Sequence, residues 1–504
     1  MNKRIKKVIK KRKRNLQARL ENNNHETIEP VFSARRAAFD MSEKISAIHC
    51  GGIGIINELV NAVHLPEKIN SELKLLKRHK PYYESDHILN MAYNIICGGR
   101  NLEDIELLRN NAAYLDGLGT DRIPDPTTAG DFLRRFSEDN VRKLMEVTNE
   151  TTVEMWKKTR KKESQDHGII DVDGKIQEIF GECKEGMDMS YKGIWGFSTL
   201  VTTEATSGAH LYVVNRPGNK LSQEGAGEWI DKSIDVVRQG FKRVYLRGDS
   251  AFSLTWKFDE WTDKGTEFIF GYDTHANLIN KAEKLRKNEW QALEKTFKEN
   301  KSGKERGKKE RVKEAMVIKR EYKNLTTKKE FISEFRYKPV KCAREYRVIV
   351  LKKIIDVTEG QRHLFEDSRY LFYITNIEDM SALEALRFIQ GRCNHENKIE
   401  QLDNGIHALK MPAAEFTANW AYMVICTLAW NLKSWLGLIT PDAEKKREII
   451  SCEFKSFQNR LINIPCQILK AGRRIIFRFL SYNPWIEILL NISDTIRRLN
   501  SPAA

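Results

Sequence analysis

From about Met41 to Thr151 the apolar positions of the chain recur at helical spacing. His87–Ile96 reads as a buried helix. Leu102, Ile105 and Leu108 follow at three-residue intervals with acids between them. Pro124-Asp125-Pro126-Thr127-Thr128 reads as a turn that starts a helix with Phe132, Leu133 and Phe136 on its apolar face. The period changes at His167. Gly168–Gly174 (GIIDVDG) reads as a strand ending in a turn, and Phe197–Thr203 and His210–Asn215 as two more, joined at Ser207-Gly208. Ala226–Gly240 carries Ile230, Ile234 and Val237 on one side of a helix. Arg243–Arg247 is a strand ending in Gly248-Asp249-Ser250, Leu254–Thr262 a short helix and Glu267–Tyr272 a strand. Three strands, helix, strand, helix, strand is an order that α/β folds use.

The stretch 275–330 interrupts this pattern with charged residues of largely helical character. Strands resume at Arg344–Ile355 and Tyr370–Thr375, and long helices are predicted over Ser381–Leu409 and Pro412–Leu438. The most apolar window, Trp420–Trp430, is broken by Asn431 and Lys433. It is too short to span a bilayer, so a buried helix is expected and no membrane partner. These shifts divide the chain into a basic arm (1–24), a helical DNA-binding domain (25–160), a first core segment (161–272), an insertion with its own strands (273–375), a second core segment (376–440) and a basic helical C-terminal region (441–504).

Charge sharpens the picture. The net charge is +16, and two segments account for it: residues 1–20 hold ten Lys/Arg and no acid, and residues 281–330 hold eighteen Lys/Arg against nine Glu. The remainder is slightly acidic. Concentrated positive charge suits a polyphosphate partner, because neutralising phosphates releases condensed counterions; a solvated charge run is the plainer alternative. Arg12, Lys13 and Arg14 are the arm's candidate phosphate contacts. The eight cysteines include no C-x-x-C pair and no signal segment precedes them, so reduced thiols in a cytoplasmic protein are expected.

Asp171 and Asp173 alternate onto one face of the first strand, and Asp249 closes a later one. Carboxylates at neighbouring strand ends can converge on a hard divalent cation, although an Asp at a strand end is by itself an ordinary turn former. A third acid, Glu396, lies one helical turn after Arg392, where a surface ion pair is an equal explanation.

Longer stretches go further: IIDVDG (169–174), GECKEGMDMSYKGIWGF (181–197), VVNRPGN (213–219), LRGDSAF (246–252), LFYITN (371–376), RCNHENKIEQL (392–402) and ANWAYMVICTLAWNLKSW (418–435). In these the chain resembles the bacterial insertion-sequence DDE transposases, most closely the insertion-sequence 1380 type beside the insertion-sequence 4 superfamily. The resemblance implies a ribonuclease-H-like α/β catalytic core with an inserted β-rich domain, flanked by helical N- and C-terminal regions. It implies that Asp173, Asp249 and Glu396 are catalytic and hold two Mg2+ ions, with Mn2+ able to substitute. The substrates implied are double-stranded DNA, as terminal inverted repeats and as target, engaged by at least a homodimer near the nucleoid. In the superfamily a tyrosine, an arginine, the glutamate and a lysine recur at fixed helical spacing. Arg392 and Glu396 match, whereas Ile389 stands in the tyrosine slot and Asp403 in the lysine slot. An acid there would repel phosphate, so Lys398 or Lys410 is the candidate replacement contact. Trp195 and Trp290 are candidates for stacking on a flipped base, with ordinary packing the plainer reading. Two alternatives stay open: a nuclease of the same fold that cuts without joining, and a transposase-derived DNA-binding protein with a weakened site.

Overall fold

The computed structural model describes residues 3–21, 45–159, 166–180, 183–293, 323–359, 362–472 and 474–499, without the side chains of 323–326, 358–366 and 393–396. A mixed α/β architecture is built on one large sheet. In chain order the strands are β1 (Ala47–Ile48), β2 (His167–Glu178), β3 (Asp188–Met189), β4 (Trp195–Glu204), β5 (His210–Val214), β6 (Arg243–Gly248), β7 (Thr266–Tyr272), β8 (Gln291–Ala292), β9 (Lys323–Tyr337), β10 (Tyr346–Glu359), β11 (Arg362–Thr375), β12 (Cys466–Ala471) and β13 (Arg474–Phe479). The large sheet runs β3-β4-β2-β6-β7-β11-β10-β9-β8, with β5 on β4. Among the described strands only β2–β6 and β6–β7 are parallel pairs.

The segment expected as an insertion continues this sheet directly, since β11 pairs with β7 from Phe372↔Tyr272 to Thr375↔Ile269. Helix was expected across 275–330, and part of that stretch, 294–322, lies outside the described residues. What is described is the helix Ala276–Glu283, β8 and the start of β9. The β-pattern of β9 is masked in sequence by charges, because cross-strand ion pairs such as Lys353–Glu330 (3.3 Å) and Lys328–Asp356 (3.4 Å) occupy positions that a half-buried strand would fill with apolar residues.

The apolar stretch of the sequence is the helix Phe416–Ile439. By length and hydropathy it could cross a membrane, yet it is buried throughout within the protein. It packs on β5 and on the helices Glu84–Ile96 and Glu138–Thr159, joining the sheet to the N-terminal helices. Its polar residues are matched to neighbours. Asn431 Oδ1 accepts from the His210 amide and its Nδ2 donates to the His210 carbonyl, both at 2.9 Å. The Trp420, Trp430 and Trp435 indoles donate to Val213 O, Gly208 O and Thr152 Oγ1.

The basic arm is a helix, Lys3–Glu21. Its Ile9 rests on the core, and Arg12 donates to the carbonyls of Phe479 (2.9 Å) and Ser481 (3.3 Å). The C-terminal region is not wholly helical, because the hairpin β12–β13 joins β1 in a second sheet.

Candidate active site

Alternation on β2 and β6 sets the chemistry. The parallel ladder between them ends at Asp171↔Arg247. β2 continues to Glu178 on β4 alone, so it does not turn at Gly174 as its sequence suggests. Two residues beyond that last pair, Asp173 and Asp249 come level where the strands part, on the same face as Asp171 and Arg247. Asp249 then caps a short 3-10 turn, its Oδ1 accepting the Ala251 amide at 3.0 Å. Gly248 is required there: a Cβ would meet Val172, Phe270 and Phe252 side chains at 2.9–3.1 Å.

The two acids on β2 have different partners. Asp171 is buried and takes Arg247 in a two-pronged pair, Nε–Oδ1 2.7 Å and Nη2–Oδ2 2.9 Å. Arg247 also donates through Nη1 to Phe388 O at 2.7 Å. Asp173 is half-buried. Its Oδ1 accepts the Gly174 amide and its Oδ2 accepts Arg392 Nη1 at 2.7 Å. Burial pushes the Asp173 carboxyl above its ordinary pKa; the Arg392 guanidinium opposes this and the Asp249 carboxylate adds to it. Asp173 and Asp249 therefore feel each other's charge, which favours a cation between them.

A helix across this face was expected to run unbroken from Ser381 to Leu409. It is two helices, Ala382–Gln390 and Cys393–Asn404, with Gly391 and Arg392 between. The break lies over the buried pair: a Cβ on Gly391 would come within 2.8 Å of Arg247 Nη1, which Asp171 and Phe388 hold in place. Glu396 lies in the second helix, but its side chain is outside the described residues. A cleft of about 370 Å³ opens beside Asp249 and is lined also by Ser250, Asp273, Tyr373, Gln390 and Arg392.

The family Transposase DDE domain group 1 matches residues 43–501. The chain belongs to the DDE transposases. No curated protein matches it. Among solved structures, a piggyBac transposase synaptic complex with hairpin DNA aligns with 91% of this chain and 86% of that chain, at 9% identity and a TM-score of 0.35.

In this DDE transposase the remaining sequence candidates are placed as follows. Lys398 is partly buried, its Nζ donating to Ala205 O (3.1 Å), and burial lowers its pKa while Asp171 and Glu204 raise it. Lys410 is exposed, beside His407. Arg12 is spent on carbonyls of the C-terminal region, whereas Lys13 and Arg14 are exposed. Trp195 is exposed at the start of β4, and Trp290 packs near Tyr370 with Lys352 over its ring.

Two residues escaped the sequence reading. Asp273 follows β7 as Asp249 follows β6, and an acid just past a parallel strand was the available signal. Lys175 lies two residues after Asp173 and pairs with Asp403 at 3.1 Å, both side chains partly exposed. That contact has no local sequence signal.

Asp173 and Asp249 suit a magnesium ion, which takes one or two carboxylates and keeps several waters. Among the described residues no group of three or more His, Cys, Asp or Glu side chains forms a metal cage. The third carboxylate would come from Glu396.

Proposed function

We propose that this chain is a transposase that binds the inverted repeats of its element, cleaves DNA phosphodiester bonds and joins the freed 3′-hydroxyls to target DNA. The observation that supports this most is the level placement of Asp173 and Asp249 at the parting of two parallel strands, with Arg392 at the helix break bonded to Asp173 and Glu396 on the helix Cys393–Asn404 that follows. Asp173, Asp249 and Glu396 would hold two Mg2+ ions in a ribonuclease-H-like core. When bound, these would supply charge for the attacking and leaving oxygens of an in-line displacement. Arg392 holds Asp173 in place and offers its guanidinium to phosphate. Gly248 lets the Val172, Phe252 and Phe270 side chains pack closely behind the strand ends that carry the acids. Joining two element ends requires at least two protomers on DNA.

The test is cleavage of duplexes carrying the flanking inverted repeats, with Mg2+, followed by strand transfer from pre-cut ends. Cleavage and joining are expected with wild type. Cutting without joining would mark a nuclease, and repeat binding without cutting would mark a DNA-binding derivative.

A further inference from the structure

We infer that a cleft in the N-terminal helical region, between the loop 73–83 and the helix Pro126–Leu133, is a docking surface for the sugar-phosphate backbone of duplex DNA. This inference rests on the transposase reading and places a second DNA contact outside the catalytic face.

The cleft has a volume of about 640 Å³. Lys77, Arg78 and Lys80 line one wall and Arg135 the other, and all four are exposed. None of the four forms an ion pair with another described residue. The two acids in the lining are already engaged. Asp125 accepts the Thr128 amide (2.9 Å) and hydroxyl (2.7 Å), and Asp131 accepts Arg134 Nη1 at 2.7 Å. Asp131 is offset by Arg134, so four cations face the single ionised carboxylate of Asp125 and the lining is net positive.

The basic wall is held rather than loose. Buried Glu84 accepts the amides of Leu75 (2.9 Å) and Leu76 (3.0 Å), and Asp86 accepts the Tyr83 amide at 2.8 Å. A loop fixed at both ends presents its cations with little ordering cost on binding. Tyr82 offers a flat face beside Arg122, whose guanidinium lies 5.8 Å from its ring centre. Buried His87 lines the cleft, stacked on Phe132 at 4.3 Å, and its Nδ1 has no hydrogen-bond partner.

Exposed guanidinium and ammonium groups around a fixed groove suit phosphate oxygens, so the contact should position DNA without reading sequence. The experiment compares the full chain with Lys77→Gln/Arg78→Gln/Lys80→Gln and, on the opposite wall, with Arg135→Gln. Fluorescence anisotropy on repeat and unrelated duplexes is followed over a salt series without divalent ions, with circular dichroism to confirm folding. The triple variant should lose at least about tenfold in affinity for both duplexes, and its log–log salt slope should flatten by about three. Arg135→Gln should flatten it by about one, and Lys80→Arg should leave it unchanged. Wild-type affinity and slope in both Gln variants would overturn the assignment, as would loss confined to the repeat duplex. Loss of polyglutamate binding with duplex binding intact would give the cleft to an acidic polypeptide instead. Failure of the wild type to bind any duplex would strike the transposase reading itself.

Discussion

At the scale of the residue, two aspartates on one strand face are separated by their partners. Asp171 lies in a buried, two-pronged pair with Arg247, while Asp173 reaches the cleft rim and shares Arg392. Asp171→Asn would leave Arg247 buried without its counter-charge, at a cost of about 3–5 kcal/mol in stability. Denaturant melts should show that loss, while cleavage per folded molecule persists. Asp173→Asn, Asp249→Asn and Glu396→Gln should melt near wild type, bind repeat ends and fail to cleave. A dead Asp171→Asn beside an active Asp173→Asn would reverse the assignment. Lys175 and Asp403 allow a second test. Their ion pair links β2 to the helix Cys393–Asn404 in the opposite sense to Arg392–Asp173. Asp403→Lys alone sets two ammonium groups together and should cost up to about 1 kcal/mol. Adding Lys175→Asp should restore stability in a double-mutant cycle, and a cycle with no coupling would show that the pair contributes nothing. If Lys175 also meets phosphate, Lys175→Gln should reduce the salt slope of end binding by about one.

Elements were legible where the chain is a continuous apolar run bounded by polar or turn residues, or where apolar residues recur at helical spacing. β4, β5, β6, β7 and the helices Ala226–Arg238 and Phe416–Ile439 lie within a few residues of their expected bounds, the strands and the second helix as buried apolar runs and Ala226–Arg238 through its one apolar face. β9 did not show, since its cross-strand partners are charged. The break at Gly391 did not show either, since its cause is Arg247, far away in sequence. Asp249 was visible as an acid after a strand, but its alignment with Asp173 depends on a ladder register that local pattern does not encode. The helix Phe416–Ile439 shows what such pairings contribute: Asn431 serves the amide and carbonyl of His210 as a neighbouring strand would. Asn431→Leu is close in volume but orphans both backbone groups, at about 1–3 kcal/mol each. Hydrogen exchange should quicken at His210 and along β5 before the rest of the sheet, and unchanged protection of β5 would show that the Asn431 pairing is dispensable.

Across the whole molecule, the two ends of the chain meet. β12 pairs with β1, the helix Ile486–Leu499 packs on Ile53–Ala62, and Arg12 of the arm donates to the carbonyls of Phe479 and Ser481. This arrangement separates two roles within the basic helix that composition alone merges. Arg12 is a structural tether, whereas Lys13 and Arg14 are exposed and available to phosphate. Arg12→Gln should therefore loosen the hairpin β12–β13, seen as faster hydrogen exchange over 474–479, and should change the salt slope of DNA binding little. Lys13→Gln/Arg14→Gln should leave that exchange unchanged and flatten the salt slope by about two, equally for repeat and unrelated duplexes, because phosphate contacts carry no base information. The docked helix could instead enter a groove and read bases. Its double variant would then lose affinity for the repeat far more than for unrelated DNA, and recognition of the element end would belong to the arm rather than to the helical region behind it.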